Sequence, residues 1–376
     1  KQLLSFINKF QLPLALTWGA SDLLSSNDEL YIGTFGTHGM RHSNFAVQNA
    51  DLITSLGSRL DTKSTGSPIN TFAREAKKIM IDIDPNELGK FESFGLNFDL
   101  LIQEDLKEFF KEFSSLSSNL QFAKFPYFNE KNWWLKKIAN WKINLSEPKD
   151  KISFDKSLDP YEFFKRLSLN LKKESLIFID TGCSIAWAMQ VFNFKDGNRV
   201  FHDFNNTAMG WALPATIGGY FANSKKNLVS IIGDGSFMMS IQELATVMHH
   251  NLDIKIFIYN NGGYQTIKQT QQLGFGGRLM GCDETSGISF PCFAKIAEAN
   301  KILYKCIQNH TELDDQLSDI LSISGPVIIE LMIDPEQPQI PKAINKKLPN
   351  GKSQPSKFED LYPFLTKEEL QENLLE

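Results

Sequence analysis

The chain has 376 residues, 42% hydrophobic and 22% charged, with a formal net charge of −5. That is the balance of a folded globular protein long enough for two domains, and it excludes collagen-like and disordered classes. With no basic surplus to meet a phosphate backbone, nucleic acid is not an expected partner.

The opening Lys1-Gln2-Leu3-Leu4 lacks a signal-peptide pattern and an initial methionine, so the chain reads as processed or as a piece of something longer. Short apolar runs at 12–16, 52–56 and 79–83 predict strands, with helices at 45–50 and 72–76 between them. This alternation predicts a parallel sheet covered on both faces over residues 1–115. Residues 116–157, polar and aromatic with Trp133, Trp134 and Trp141, read as a linker with one amphipathic helix. The alternation resumes over 158–334, with strands at 176–180, 228–232, 254–259 and 327–333 and helices at 161–171, 211–221, 241–249 and 293–299. The Pro- and Lys-rich tail, 335–376, reads as an extended surface segment. The expected fold is therefore α/β, with two doubly wound parallel-sheet domains. Cys183, Cys282, Cys292 and Cys306 lack the paired spacings of a zinc site and fit a reducing cytoplasm. No apolar run reaches the roughly 18 residues of a membrane span, so no membrane is expected.

Doubly wound sheets bind ligands at the carboxyl ends of their strands, which directs attention to the loops after Asp180, Ile232 and Tyr259. Gly233-Asp234-Gly235-Ser236 leaves a buried strand and enters a helix, where glycines let backbone amides approach an anion. A carboxylate there would repel phosphate unless a divalent cation lies between them, and magnesium prefers such hard oxygens. The next strand ends in Asn260-Asn261-Gly262-Gly263, whose Asn261 side chain and Gly263 carbonyl are suitable neutral ligands beside Asp234. Alone, Gly-Asp-Gly is equally a tight structural turn. By its residue type alone, Met209 is core packing.

This pairing of Gly-Asp-Gly with Asn-Asn one helix and strand later resembles the thiamine-diphosphate enzyme motif, and the flanking 236–244 is similar to the acetolactate synthase branch. The resemblance implies thiamine diphosphate and Mg2+, with Asp234, Asn261 and Gly263 on the metal and Gly233, Gly235, Ser236 and Tyr264 around the cofactor. Asn206 to Pro214 is similar to the segment of that branch whose methionine holds the cofactor bent, which implies that role for Met209. Gly182 keeps a glycine found near the diphosphate in relatives; Cys183 and Ser184 depart from the family's Gln and His there, but as small polar groups able to donate hydrogen bonds they are carried over with Gly182 as cofactor-binding.

Residues 1–115 resemble the family's central domain, which in acetolactate synthases holds FAD. Thr17, Gly36, Thr37, His38, Gly57, Arg59, Asp61 and Asp82 match its strand-end segments, although Lys63 replaces an arginine, and tight turns in a flavin-free domain remain the alternative. The family's activating glutamate belongs to a pyrimidine-binding domain that should precede residue 1, so no catalytic residue is assigned in this chain. The implied function is decarboxylation of a 2-oxo acid such as pyruvate and transfer of the two-carbon unit to a carbonyl acceptor, in a homodimer or homotetramer. Anabolic synthases carry a tryptophan where Thr270 stands, one turn after Ile267, so the acceptor pocket is expected to be more polar. The tail is similar to homologues associated with surface-polysaccharide sugars, which adds a keto-sugar nucleotide as acceptor. A pyruvate decarboxylase or oxidase, and a catalytically silent cofactor-binding subunit, remain alternatives.

Overall fold

Parallel strands covered on both faces read as continuous apolar runs, a pattern that Leu228–Gly233 and Ile254–Asn260 supply and that Leu52–Leu56 and Leu100–Gln103, largely exposed or half-buried, do not. The computed structural model describes residues 1–117, 127–145, 157–222, 227–347 and 350–375. The chain divides into two compact units, one from Lys1–Ala20, Asn27–Asp150 and Ile340–Glu376, the other from Ser21–Ser26 and Lys151–Gln339.

In the first unit, β1 (Leu14–Leu16) pairs in parallel with β2 (Tyr31–Thr34), while β3 (Leu52–Leu56), β4 (Lys77–Asp82) and β5 (Leu100–Gln103) form a parallel three-stranded sheet. The helix expected at 72–76 is a turn. Ala73 adopts φ 43, which no right-handed helix accommodates, and its N–H is taken by the Gln48 side chain. The tail, expected to lie extended on the surface, instead enters the core. Phe358 and Leu361 are buried, Asn44 donates to the Phe358 carbonyl at 2.8 Å, and buried Glu359 accepts from Gln48 and Arg74. The helix Tyr127–Leu145 places Trp141 against Phe45 at 5.9 Å, with its indole N–H donating to the Asn373 carbonyl. Of the expected linker, 118–126 and 146–156 lie outside the described residues.

The second unit is a six-stranded parallel sheet in the order β10-β11-β9-β8-β6-β7. Its strands are β6 (Leu176–Ile179), β7 (Arg199–Phe201), β8 (Leu228–Gly233), β9 (Ile254–Asn260), β10 (Leu303–Ile307) and β11 (Val327–Met332). The sequence pattern marks the four central strands and misses β7 and β10, the two edges, whose partly exposed residues include Arg199 and Lys305. From β6 the chain steps outward to β7 and returns on the other side of β6 to β8. The β6–β8 boundary is thus the topological switch point, where a crevice opens between loops leaving in opposite directions. Among the described residues, no helix is long and apolar enough to cross a membrane.

Trp141 is fully buried. Trp141→Ala is expected to cost about 3–5 kcal/mol of stability. Urea denaturation checks this, and a loss below about 1 kcal/mol would show that this helix does not belong to the core of the first unit.

Candidate functional site

The switch point brings three loop starts together, because β8 lies between β6 and β9 with Ile179 opposite Ile231 and Gly233 opposite Tyr259. Asp234 opens the short helix Asp234–Met239 and is 2% exposed. Its Oδ1 accepts from the Gly235 N–H at 2.6 Å. Its Oδ2 accepts from the N–H groups of Asn261 at 3.1 Å and Gly263 at 3.2 Å. One carboxylate therefore ties the loop after β8 to the loop after β9.

The Asn261 side-chain oxygen lies 3.2 Å from Asp234 Oδ2 and 2.9 Å from the Gly263 carbonyl oxygen. In that orientation the side-chain oxygen faces two other acceptors, Asp234 Oδ2 and the Gly263 carbonyl. Turning the amide would make two hydrogen bonds, and a cation would satisfy all three oxygens as they stand. Octahedral magnesium, with oxygens at about 2.0–2.1 Å, sets neighbouring ligands about 3 Å apart, so the spacing and the hard donor set both fit. Burial pushes the Asp234 pKa up from 3.8 to about 7, against the pull of the Gly235, Asn261 and Gly263 amides. That rise corresponds to roughly 4 kcal/mol against the charged form, which a bound cation would offset.

Glycine is required at two positions here by close approach. A Cβ on Gly235 would meet the Tyr264 ring at 2.0 Å, and one on Gly263 would meet the Cys282 carbonyl oxygen at 2.1 Å. Tyr264 thereby lies over the Gly235 turn, and its N–H donates to Cys282 O at 2.8 Å. Across the switch point, Gly182 (φ 92) starts the helix Cys183–Val191. Cys183 Sγ lies 3.3 Å from Thr266 Oγ1, while the Ser184 hydroxyl donates back to the carbonyls of Asp180 and Thr181. Ile267 and Thr270 share an exposed face of the helix Gln265–Gly274, and Thr270 Oγ1 donates to the Thr266 carbonyl.

The sequence reading assigned no role to Asp180. It is fully buried, and its two oxygens accept from the N–H groups of Gly210 (3.2 Å) and Ala212 (2.8 Å), fixing the segment that carries Met209. Burial raises its pKa although the Ala212 amide, the Ser236 side chain and the Gly210 amide oppose the rise. The available signal was an acid closing an apolar strand just before Thr181-Gly182. Lys268 was also missed. It pairs with Glu336 at 2.5 Å and with Asp283 at 3.4 Å, holding the turn that supports Gly263.

In the first unit, the positions associated with a flavin stand at strand ends. The Thr37 N–H donates to Lys63 O at 2.7 Å, and Thr37 Oγ1 is 3.2 Å from His38 Nδ1. Burial, with Lys342 and Lys63 nearby, lowers the His38 pKa to about 4. Thr17 accepts from Ala20 N–H at the turn after β1, and the Gly57 N–H donates to Ile81 O. Arg59 pairs with Glu87 at 3.1 Å, Asp61 caps the turn Thr62–Thr65, and Asp82 accepts from the Asp84 N–H.

Comparison with known proteins is consistent with this geometry. The family model for the central domain of thiamine pyrophosphate enzymes matches residues 1–113, and that for their C-terminal TPP-binding domain matches residues 180–331. The chain is 32% identical over 335 residues to the acetolactate synthase large subunit of Cyanidium caldarium, covering 89% of this chain and 54% of that protein. It is 28% identical over 345 residues to a probable acetolactate synthase large subunit of Methanococcus aeolicus, covering 89% and 56%. For the acetolactate synthase large subunit of Lactococcus lactis the figures are 29% over 344 residues, 91% and 56%. The chain spans about half the length of the curated relatives it matches.

The raised pKa of Asp234 sets a pH dependence. The folded chain holds this proton to a higher pH than the unfolded chain, so metal-free stability is expected to fall as pH rises from 3.8 to about 7. Stabilisation by magnesium with a diphosphate should grow over the same interval, because the cation needs the carboxylate. Thermal unfolding with and without magnesium checks both slopes, and a magnesium increment independent of pH would remove Asp234 from the ligand set.

Proposed function

Because this chain belongs to the thiamine pyrophosphate enzyme family, we propose that it holds thiamine diphosphate through Mg2+ bound by Asp234, Asn261 and the Gly263 carbonyl. We further propose that it serves decarboxylation of a 2-oxo acid such as pyruvate with transfer to a carbonyl acceptor, an acetolactate synthase-like reaction. The observation that carries this reading is the convergence of three oxygens, one charged and two neutral, at the carboxyl edge of β8 and β9.

Bound thiamine diphosphate supplies the nucleophilic and electron-accepting chemistry by which a 2-oxo acid loses carbon dioxide and passes on its remaining unit. The protein's part is to bind and orient. Asp234 contributes the one negative ligand, and the cation cancels the repulsion between that carboxylate and a diphosphate. Gly235 leaves room for the Tyr264 ring over the loop, and Gly233 and Ser236 would present the loop backbone to the diphosphate. Asp180 holds the backbone on both sides of Trp211 and so fixes the segment that carries Met209, the residue that would hold the cofactor bent. Gly182 and Cys183 stand in the loop after β6 across the switch point, where Cys183 Sγ meets Thr266 Oγ1.

The acceptor side is the exposed helix face of Ile267 and Thr270, which carries no indole. This supports a polar acceptor, such as an aldehyde or a keto-sugar nucleotide, over 2-oxobutyrate. We also place FAD at the strand ends of the first unit, where it would draw Arg59 from its exposed pair with Glu87, a pair worth little in water. The family resemblance implies at least a homodimer.

Calorimetry of thiamine diphosphate with magnesium tests the binding claim, and Asp234→Ala is expected to abolish the heat; equal binding would refute the ligand assignment. Product analysis of the whole protein with pyruvate and competing acceptors tests the reaction. Thr270→Trp is expected to shift the product ratio towards 2-oxobutyrate by about tenfold, the scale of a changed hydrophobic wall. Binding without turnover would favour the silent-subunit reading. The visible spectrum after incubation with FAD and gel filtration tests the flavin, whose absence from the protein fraction would dismiss it.

A further inference from the structure

A second carboxylate lies behind the cation site and has no part in the reading above. Glu330 sits on β11, the neighbour of β9, and is 8% exposed. Its Oε1 accepts from Asn260 Nδ2 at 2.5 Å, and its Oε2 accepts from the Tyr304 hydroxyl on β10. The other end of the same amide, Asn260 Oδ1, accepts from the Gly262 N–H at 3.1 Å. The Asn260 main chain is also held, its carbonyl accepting from the Ile333 N–H at 2.9 Å.

We propose that Glu330 is a positioning residue for the cation site, acting through Asn260: it fixes which end of the Asn260 amide faces Gly262, and that bond sets the turn presenting Asn261 and Gly263 to Asp234. This inference rests on the cation reading and deepens it.

The two ends of a side-chain amide are almost equal in size, so shape alone does not orient one. The Glu330 side chain offers an oxygen to the amide, which draws the NH2 end towards it and leaves the Asn260 oxygen for Gly262. The Tyr304 hydroxyl occupies the second carboxylate oxygen, so the group that receives Asn260 is itself held from β10. A side-chain oxygen bonded to the N–H two residues on closes an Asx turn, which favours the left-handed backbone that Gly262 adopts at φ 70. The following N–H groups then fall on Asp234 Oδ2 at 3.1 and 3.2 Å, and the Asn261 and Gly263 oxygens turn inward. Four adjacent strands thus carry one chain of contacts, from Tyr304 on β10 through Glu330 and Asn260 to the loop after β8. With an apolar residue at 330, the half-buried Asn260 NH2 would lose its carboxylate partner and the amide would be free to turn.

The test is calorimetry of magnesium at saturating thiamine diphosphate on the full chain, with thermal unfolding measured alongside. Glu330→Leu is expected to weaken magnesium by about 10- to 100-fold, the usual effect of losing a group that orients a metal ligand, while Glu330→Gln, which still offers an oxygen to Asn260, stays within about threefold. Magnesium affinity unchanged in Glu330→Leu would overturn the proposal, whatever happens to the melting temperature. Should Glu330→Leu fail to fold, exchanging the ends asks the same question. Asn260→Asp alone sets two carboxylates face to face and is expected to weaken magnesium. Asn260→Asp with Glu330→Gln restores the pairing with reversed polarity and is expected to recover wild-type affinity, and a double variant no tighter than Asn260→Asp would overturn the proposal. Wild-type protein and Asp234→Ala in the same series separate the two levels: if these two bind magnesium equally, the cation reading itself falls, whereas a loss confined to Asp234→Ala with every Glu330 variant intact removes only the role of Glu330.

Discussion

The second unit depends on one buried carboxylate that accepts hydrogen bonds from the backbone of a loop it is not part of. Asp234 Oδ2 receives the N–H groups of Asn261 and Gly263, so the loops after β8 and β9 are held as a single surface. That bond exists because the two strands are parallel neighbours, in a register that ends with Gly233 opposite Tyr259. Burying the charge costs more than those amides return, which is why the group holds a proton to unusually high pH. A divalent cation in contact with the same oxygen would reverse that balance, as in the proposed site.

The same device recurs along the carboxyl side of the sheet. Asp180, just past β6, receives the amides of Gly210 and Ala212 and so fixes the Met209 segment. Glu330 on β11 receives the Asn260 amide, whose other end accepts from the Gly262 N–H in the turn that carries Asn261 and Gly263. Each acid is buried, and each accepts from a group whose orientation matters to the site. Sheet and loops are coupled by acceptors that leave their donors no choice of direction. The close approaches at Gly235 and Gly263 follow from this tight assembly, since neither position has room for a side chain.

The first unit follows a different logic. Its sheets are short, and its core is completed by residues distant in sequence. Trp141 packs on Phe45, and Glu359 takes Gln48 and Arg74. These contacts replace local periodicity as the organising force, and residues 72–76 form a turn although their composition suits a helix: Ala73 stands at φ 43 with its N–H donated to the Gln48 side chain.

The sequence alone determined the parallel α/β character, the four central strands of the second sheet and the pairing of Asp234 with Asn261. Those features are written in contiguous apolar runs and in glycine and asparagine at strand ends, and neighbouring strands in a parallel sheet leave few ways to arrange them. Tertiary structure alone decided the edge strands β7 and β10, the burial of the tail, and the work of Asp180, Lys268 and Glu330. An edge strand lacks the two-sided burial that makes a run legible, and a tail enters a core only if distant partners such as Asn44 and Arg74 receive it. An acid at a strand end looks the same in sequence whether it meets water or a neighbour's amide, and only the fold brings that amide within reach.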